Sequence, residues 1–219
     1  GGFDAALWRG LGEQGALSLR VPETAGGLGL GIFDAALLME QAGRCLASGP
    51  LAEAIVAARL LAELDPDDLC GLRDATASGE CVLTLALRDV ATEPEQFVAG
   101  GAAATAIIAC DGNAVVLVRP GQQAAQATLA STPIARLDLT GGERTVLCKG
   151  DKAVAAHAAA VEEWKLLIAA ALAGLSGEAI RIAAAYACER VQFGKPIGSY
   201  QGVSHPLADA VVEVDAGRL

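Results

Sequence analysis

Residues 190–201 read Arg-Val-Gln-Phe-Gly-Lys-Pro-Ile-Gly-Ser-Tyr-Gln and lie between two long helical patterns. They place a guanidinium and side-chain amides beside flexible glycines within a short turn. A planar guanidinium donates paired hydrogen bonds, so this combination fits a buried phosphate or pyrophosphate. Glycine and proline also punctuate ordinary turns, in which case Arg190 is solvated and Phe193 fills the core. The residues themselves leave both interpretations open.

Apolar residues on both sides of this stretch recur at helical spacing. Those before it step by three or four residues: Trp164, Ile168, Leu172, Leu175, Ala179, Ile182 and Tyr186. Those after it do the same: Val203, Leu207, Val211 and Val214. A stripe this long is typical of a bundle helix, and the small residues Gly174 and Gly177 let a neighbouring helix approach closely. The pattern predicts an antiparallel helical hairpin that begins near Val154.

The middle of the chain changes from helical to extended periodicity at Gly79. Four strands are predicted there: Cys81–Leu87, Thr105–Cys110, Ala114–Val118 and Thr145–Cys148. The second and third are joined by Asp-Gly-Asn at residues 111–113, which is a strong hairpin signal. We therefore expect a small antiparallel β unit.

The amino-terminal part is predicted to be helical. Helices are expected over residues 3–17, after a cap at Asp34, and over Leu51–Leu64, with an extended piece at Leu17–Val21. The acidic residues 65–68 are expected to stop the third helix and start a short one. The fold class is then α+β. It has an amino-terminal helical domain (1–78), a middle small antiparallel β domain (79–152) and an incomplete carboxy-terminal helix bundle (153–219).

The glycine-rich loop at residues 26–31 raises a different hypothesis, a nucleotide-binding α/β module. The register does not support it, because the pattern Gly-x-Gly-x-x-Gly starting at Gly29 would need glycine where Asp34 stands. No strand follows at the distance that a βαβ unit requires. A sheet with antiparallel pairing would exclude this hypothesis.

Composition limits the partners. The net charge of −10 argues against nucleic acid and anionic membranes. Six scattered cysteines and two histidines make no metal site, and His157 and His205 are expected to be structural or solvated. The apolar run Leu166–Leu175 is too short to span a bilayer, and no signal peptide is recognised. We expect a cytoplasmic protein without membrane insertion, incomplete at both ends as given.

Two stretches resemble hallmarks of the acyl-CoA dehydrogenases. In that family an Arg-x-x-Phe-Gly is followed by a Pro-Ile-Gly turn and a Gln, as in residues 190–201. His-Pro-Leu-Ala-Asp at residues 205–209 resembles the continuation of this motif. Val-Pro-Glu-Thr-Ala-Gly-Gly-Leu-Gly at residues 21–29 resembles the family's Pro-Glu loop with paired glycines. Both matches fall in the order and separation that the family has.

The resemblance implies a fold, a cofactor and partners. The fold is a helical domain, a β domain and a four-helix bundle through which members form dimers or tetramers, which here gives a homo- or hetero-oligomer. The cofactor is FAD, the substrate an acyl-CoA, and the electron acceptor an electron-transfer flavoprotein. By position, Arg190 would hold the pyrophosphate of a partner's FAD and Gln201 would bind the same nucleotide. Phe193 would pack on its adenosine part or fill the core, and Gln192 would donate to it or remain a surface amide.

The sequence departs from the family pattern in three places. Thr-Glu-Pro at residues 92–94 is followed by residues 95–97 rather than by the Gly-Ser-Asp that touches the flavin in family members. The usual catalytic Glu lies beyond Leu219. Some members carry the base on the long helix, where Trp164 stands here, and the adjacent Glu163 is expected to be a solvated carboxylate in the helix's first turn. No base is named, and the alternative hypothesis is a non-catalytic partner subunit that completes the flavin site of a homologous chain.

Overall fold

The computed structural model describes residues 3–64, 69–121, 124, 126 and 132–218. They form two compact units, one made of Gly1–Ala35 and Ser48–Lys165, the other of Ala36–Ala47 and Leu166–Leu219. The acidic residues 65–68 lie outside the described residues, so their predicted role is not addressed. The three-domain division at residues 78 and 152 stays a prediction.

Six α-helices and eight strands are described. The helices are α1 Ala5–Glu13, α2 Ile32–Arg44, α3 Leu51–Leu64, α4 Cys70–Ala77, α5 Asp151–Glu189 and α6 Gln201–Gly217. The strands are β1 Leu83–Leu85, β2 Glu95–Val98, β3 Ala106–Asp111, β4 Ala114–Arg119, β5 Ala135–Asp138, β6 Glu143–Lys149, β7 Val191–Gln192 and β8 Lys195–Pro196. Three short 3₁₀ helices lie at Ala16–Ser18, Glu23–Ala25 and Ile197–Ser199. The predicted order of helices, β region and helices is confirmed.

The helices of the first unit pack around α3. This helix is apolar on nearly every face and most of its residues are buried, as expected for a helix surrounded by protein. Its predicted bounds are confirmed. The expected extended piece at Leu17–Val21 is wrong, because Ala16–Ser18 forms a 3₁₀ turn instead. Asp34 is not the cap either: α2 starts at Ile32, and Asp34 accepts a hydrogen bond from the Gly31 N–H within its first turn.

The β region has a four-stranded sheet in the order β1-β3-β4-β6 and a separate β2–β5 pair. The predicted β3–β4 hairpin is confirmed, with Gly112 at φ 60° in its turn. β2 and β5 were not predicted. Three of the four pairings among β1–β6 are antiparallel as expected, but β1 pairs with β3 in parallel. The connection between β1 and β3, residues 86–105, contains no helix, which excludes a βαβ nucleotide-binding module.

The second unit contains residues 36–44 of α2, the carboxy-terminal part of α5, and α6. The helices α2 and α5 of this unit approach each other closely at glycine residues. A Cβ on Gly43 would lie 1.9 Å from the Ala171 carbonyl oxygen, and one on Gly174 would lie 1.9 Å from the Glu40 carbonyl oxygen. Gly174 therefore serves the close packing that the sequence predicted, and Gly43 on α2 does the same without having been predicted. At Gly177 the nearest atoms belong to side chains.

The apolar stripe of α5 is largely exposed in the single chain. Leu172, Ile182 and Tyr186 are 55%, 56% and 57% exposed. By length and hydropathy α5 could also cross a membrane, and it is the one described helix that could. A single such helix is weak support for a membrane protein, since bundle helices pass the same criteria. The predicted absence of membrane insertion and the cytoplasmic location stay predictions.

Candidate functional site

The stretch at residues 190–201 forms a short hairpin between α5 and α6. Val191 pairs with Pro196 and Gln192 with Lys195. The two residues of the turn, Phe193 and Gly194, have φ angles of 51° and 82°. Positive φ at both positions is the two-residue hairpin turn whose twist matches the strands. Glycine adopts this conformation freely, whereas a bulky aromatic is strained in it, and such strain is found mostly at functional sites.

Phe193 lies at the tip of this hairpin and is 94% exposed. Its ring meets the Tyr200 ring edge-on, with centroids 6.4 Å apart. The Lys195 ammonium also lies over the Tyr200 ring, 4.4 Å from its centroid. The interpretation of Phe193 as a core residue is wrong. Its ring is held out from the chain at a cost in backbone strain, which is the arrangement of a contact residue.

Hydrogen bonds fix the hairpin to the start of α6. The Ile197 N–H donates to the Arg190 carbonyl over 2.8 Å. The Tyr200 hydroxyl donates to the Gln192 carbonyl over 3.1 Å. The Gln192 amide donates to the neighbouring Val191 carbonyl over 2.8 Å, so in the single chain it is a surface amide with a local partner.

Arg190 and Gln201 are both exposed. Among the described residues, no carboxylate or carbonyl accepts a hydrogen bond from the Arg190 guanidinium. Gln201 is the first residue of α6 and follows Tyr200, whose backbone is extended. The structure therefore brings Arg190, Gln192 and Phe193 together in one hairpin. Sequence reasoning passed over Lys195, although it stands inside the quoted motif.

The segment after Thr92 is tightly closed and forms no open loop. The buried Gln96 side chain accepts from the Arg88 N–H over 3.1 Å and donates to the Arg88 and Glu93 carbonyls over 3.0 and 3.1 Å. The Leu139 N–H donates to the Pro94 carbonyl over 2.9 Å. Strand β2 starts directly afterwards, at Glu95. Residues 92–98 are thus held as a turn and a strand.

Glu163 differs from its expectation. It is not a solvated first-turn carboxylate, because it lies well inside α5 and its side chain is only 10% exposed. It accepts from Arg20 Nε over 2.9 Å and forms an ion pair with Arg59 Nε at 2.7 Å. Each of its two carboxylate oxygens is thus engaged by a guanidinium group, so Glu163 serves as an ion-pair partner inside the first unit.

Trp164, the neighbour of Glu163, has a buried carboxyl partner that the sequence did not reveal. Its indole N–H donates to Glu53 Oε1 over 2.7 Å. Glu53 is 6% exposed on α3, and burial raises the pKa of its carboxyl while the Trp164 hydrogen bond opposes that rise. Nothing else in the sequence distinguishes Glu53 from Glu63, the other carboxylate of α3.

The two histidines behave as expected. His157 is buried and its Nε2 lies 3.0 Å from the Ala86 carbonyl, so that nitrogen carries the proton. Burial lowers the pKa of His157. His205 is exposed on α6. Among the described residues, no group of histidine, cysteine and carboxylate side chains has the geometry of a metal site.

Comparisons with known proteins identify the family. The acyl-CoA dehydrogenase N-terminal domain model matches residues 1–64, and the acyl-CoA dehydrogenase C-terminal domain model matches residues 154–219. Acyl-CoA dehydrogenase IpdE2 of Mycobacterium tuberculosis is 35% identical over 221 residues, which cover 99% of this chain and 64% of that protein. The chain thus spans less than two thirds of this relative.

Two solved structures have the same fold. One is the ChsE4-ChsE5 complex from Mycobacterium tuberculosis, 29% identical with a TM-score of 0.84, over 97% of this chain and 65% of that one. The other is the Tcur3481-Tcur3483 steroid ACAD G363A variant, 28% identical with a TM-score of 0.81, over 98% of this chain and 66% of that one. The two matched domains, which together cover more than half of the sequence, and the shared architecture show that this chain belongs to the acyl-CoA dehydrogenase family.

Proposed function

We propose that this chain is a subunit of an FAD-dependent acyl-CoA dehydrogenase that oxidises a saturated acyl-CoA thioester to the trans-2-enoyl-CoA. The observation that carries the proposal is the hairpin: it carries Phe193, whose ring is 94% exposed and whose backbone has a positive φ, and it follows directly on Arg190, whose guanidinium has no hydrogen-bond acceptor among the described residues. The family membership supplies the reaction class. The acceptor of the electrons is proposed to be an electron-transfer flavoprotein.

The residues of the hairpin fit FAD. The Arg190 guanidinium has donors free for a diphosphate, and such charge-assisted hydrogen bonds are the strong ones. Phe193 presents a ring face to stack on an adenine or ribose, and its fixed turn means that little entropy is lost on binding. Gln201, at the start of α6, donates and accepts with an exposed amide. When bound, FAD supplies the acceptor for the hydride from the thioester's β carbon, while a base takes the α proton.

The exposed apolar side chains of the second unit support assembly with another chain. Leu172, Ile182 and Tyr186 are each more than half exposed on one helix, and exposed apolar patches on soluble proteins commonly mark interfaces. We propose that the hairpin acts on an FAD shared with the neighbouring subunit, so that Arg190 and Phe193 become enclosed on assembly.

Substitution of Arg190 tests this role. Arg190→Gln removes at least one charge-assisted hydrogen bond of about 1.5–3 kcal/mol, and the expected change is worked out for the loss of one. Since 1.4 kcal/mol corresponds to tenfold, the Kd for FAD should rise about 10- to 150-fold. Arg181→Gln is the matched control, on the helix α5 that ends just before Arg190, because Arg181 is exposed but already paired with Glu178. Flavin content of the purified assembly, and its anaerobic bleaching by acyl-CoA, are the measurements. Equal flavin affinity in the two variants would refute the proposal that the hairpin contributes to the flavin site.

A second candidate is favoured by residues 92–98. In this candidate the chain is a non-catalytic partner whose hairpin completes the flavin site of a homologous chain. The buried Gln96 closes the segment that in other family members contacts the flavin, so this subunit's own β region offers no open loop there. Two similar solved structures are described by two protein names each, Tcur3481-Tcur3483 and the ChsE4-ChsE5 complex. A pairing of two different chains is what this candidate needs.

Expression alone and together with a neighbouring homologue separates the two candidates. The chain should be purified in each form and assayed with straight-chain, branched and steroid acyl-CoA, with reoxidation by electron-transfer flavoprotein. Flavin binding and turnover by the chain alone would support the first candidate and end the second. Flavin and turnover found only in the mixture would support the second. A mixture that binds no flavin would refute both.

A further inference from the structure

The hairpin between α5 and α6 carries a second cation, to which the proposed function gives no role. Lys195 is the first residue of β8 and is exposed. It pairs across the hairpin with Gln192. The hydrogen bond from the Ile197 N–H to the Arg190 carbonyl continues the same register beyond the two paired strands. Arg190 therefore stands two residues before Gln192 on one side of the hairpin, and Ile197 stands opposite it.

This register places two cations and an amide on one face of the hairpin. Directly opposed residues of an antiparallel pair point to the same side, so Gln192 and Lys195 share a face. Residues two apart on an extended chain also share a face, which adds Arg190. Residues 190–201 contain no aspartate or glutamate. The hairpin thus supplies two positive charges and no carboxylate of its own to neutralise them.

Tyr200 holds the Lys195 ammonium in place. The ammonium lies 4.4 Å from the centroid of the Tyr200 ring, and the Tyr200 hydroxyl donates to the Gln192 carbonyl over 3.1 Å. An aromatic ring attracts a cation through its quadrupole but has no net charge, so this contact orients the ammonium without neutralising it. The Tyr200 ring also meets the exposed Phe193 ring, with centroids 6.4 Å apart. The ammonium and the Phe193 ring are therefore parts of one contiguous cluster.

We propose that Lys195 is the second cation of the diphosphate site and binds one phosphate of the dinucleotide while Arg190 binds the other. The inference rests on the proposed function, in which Arg190 acts on an FAD shared with the neighbouring subunit. A diphosphate esterified at both ends carries a negative charge on each phosphate, so a single guanidinium neutralises only half of it. An ammonium is a compact point charge and suits the remaining phosphate, because it needs no planar partner.

Reconstitution of the flavin-free assembly with FAD tests this role. Lys195→Met removes the charge and keeps most of the side chain's length, so the Kd for FAD should rise about 10-fold or more, as for the loss of one charge-assisted hydrogen bond. Lys195→Arg keeps the charge and should retain most of the affinity. Lys165→Met is the matched control, because Lys165 is 57% exposed on α5 and already paired with Glu162, and it should leave the Kd unchanged.

The salt dependence of binding separates a contact with phosphate from a structural role. Salt screens an exposed ion contact, so the affinity of the wild-type assembly for FAD should fall more steeply with sodium chloride than that of the Lys195→Met assembly. A variant that only loosens the hairpin would bind FAD more weakly with the wild-type salt dependence, and that result would overturn the inference.

The variants also separate this inference from the proposed function. If Arg190→Gln weakens FAD binding and Lys195→Met matches Lys165→Met, Lys195 does not bind the diphosphate, and the proposed function stands. An assembly that binds no FAD at all would refute both.

Discussion

Gly174 and Gly177 lie less than one turn apart on α5 and should respond to alanine in opposite directions. A Cβ on Gly174 would lie 1.9 Å from the Glu40 carbonyl oxygen and 2.8 Å from the Glu40 carbonyl carbon, both fixed backbone atoms of α2. A Cβ on Gly177 would meet the Arg218 Nη2 atom at 3.1 Å, at the end of a flexible side chain, and the Val214 Cγ1 atom at an ordinary contact distance of 3.8 Å.

The magnitudes follow from these distances. Ordinary contact begins at 3.4 Å, so Gly174→Ala would force the two helix backbones to separate by about 1.5 Å. Overpacking of this kind costs about 1–3 kcal/mol or more, which exceeds the gain of about 1 kcal/mol from replacing glycine inside a helix. For Gly177→Ala the helix gain should remain, because Arg218 can move. The helix gain is common to both variants, so we expect them to differ by the overpacking cost of about 1–3 kcal/mol.

Thermal and urea unfolding measure the difference. One kcal/mol shifts the Tm of a chain of this size by about 2–4 °C, so the variants should be separated by several degrees. Gly202→Ala on α6, where nothing lies within 4 Å of the added Cβ, controls for helix propensity. If Gly174→Ala is as stable as Gly177→Ala, the close approach of α2 and α5 is not as described.

Three further substitutions test buried or strained residues. Burial lowers the pKa of His157, so the free energy of unfolding should fall as the pH drops from about 6.5 through that lowered pKa. His157→Gln should flatten this pH dependence of stability, and the control His205→Gln should not. Burial raises the pKa of Glu53, so its ionisation destabilises the fold as the pH rises above 4.5. Glu53→Gln keeps an acceptor for the Trp164 N–H and should be more stable than wild type at pH 7. In urea titrations the difference in stability between the two proteins should shrink at low pH. Leu46 has a φ of 52°, so Leu46→Gly should raise the free energy of unfolding by about 1 kcal/mol. An unchanged urea midpoint would contradict this strain.

Local signals predicted much of the fold. Asp-Gly-Asn at residues 111–113 identified the β3–β4 hairpin, because the turn chemistry acts between neighbours in sequence. The bounds of α3 followed from its apolar periodicity. Strands β2 and β5 escaped because they pair with one another across a long stretch of chain, and neither carries a turn of its own. The parallel pairing of β1 with β3 depends likewise on a crossover that no local pattern encodes.

The candidate site divides in the same way. The motif located Arg190, Gln192 and Phe193, but the positive φ of Phe193 and the exposure of its ring come from the hairpin geometry. Glu163 was misjudged because sequence shows only its neighbours along one helix, whereas its partner Arg20 is 143 residues distant. Such contacts require tertiary structure.

The Arg20–Glu163 ion pair has a consequence for biosynthesis. The first compact unit begins near the amino terminus and is completed by the opening turns of α5. A ribosome therefore has to release Glu163 before Arg20 and Arg59 find their shared carboxylate. Until then Arg20 and Arg59 lack the carboxylate that joins them, so the first unit can be completed only after this part of α5 has left the ribosome.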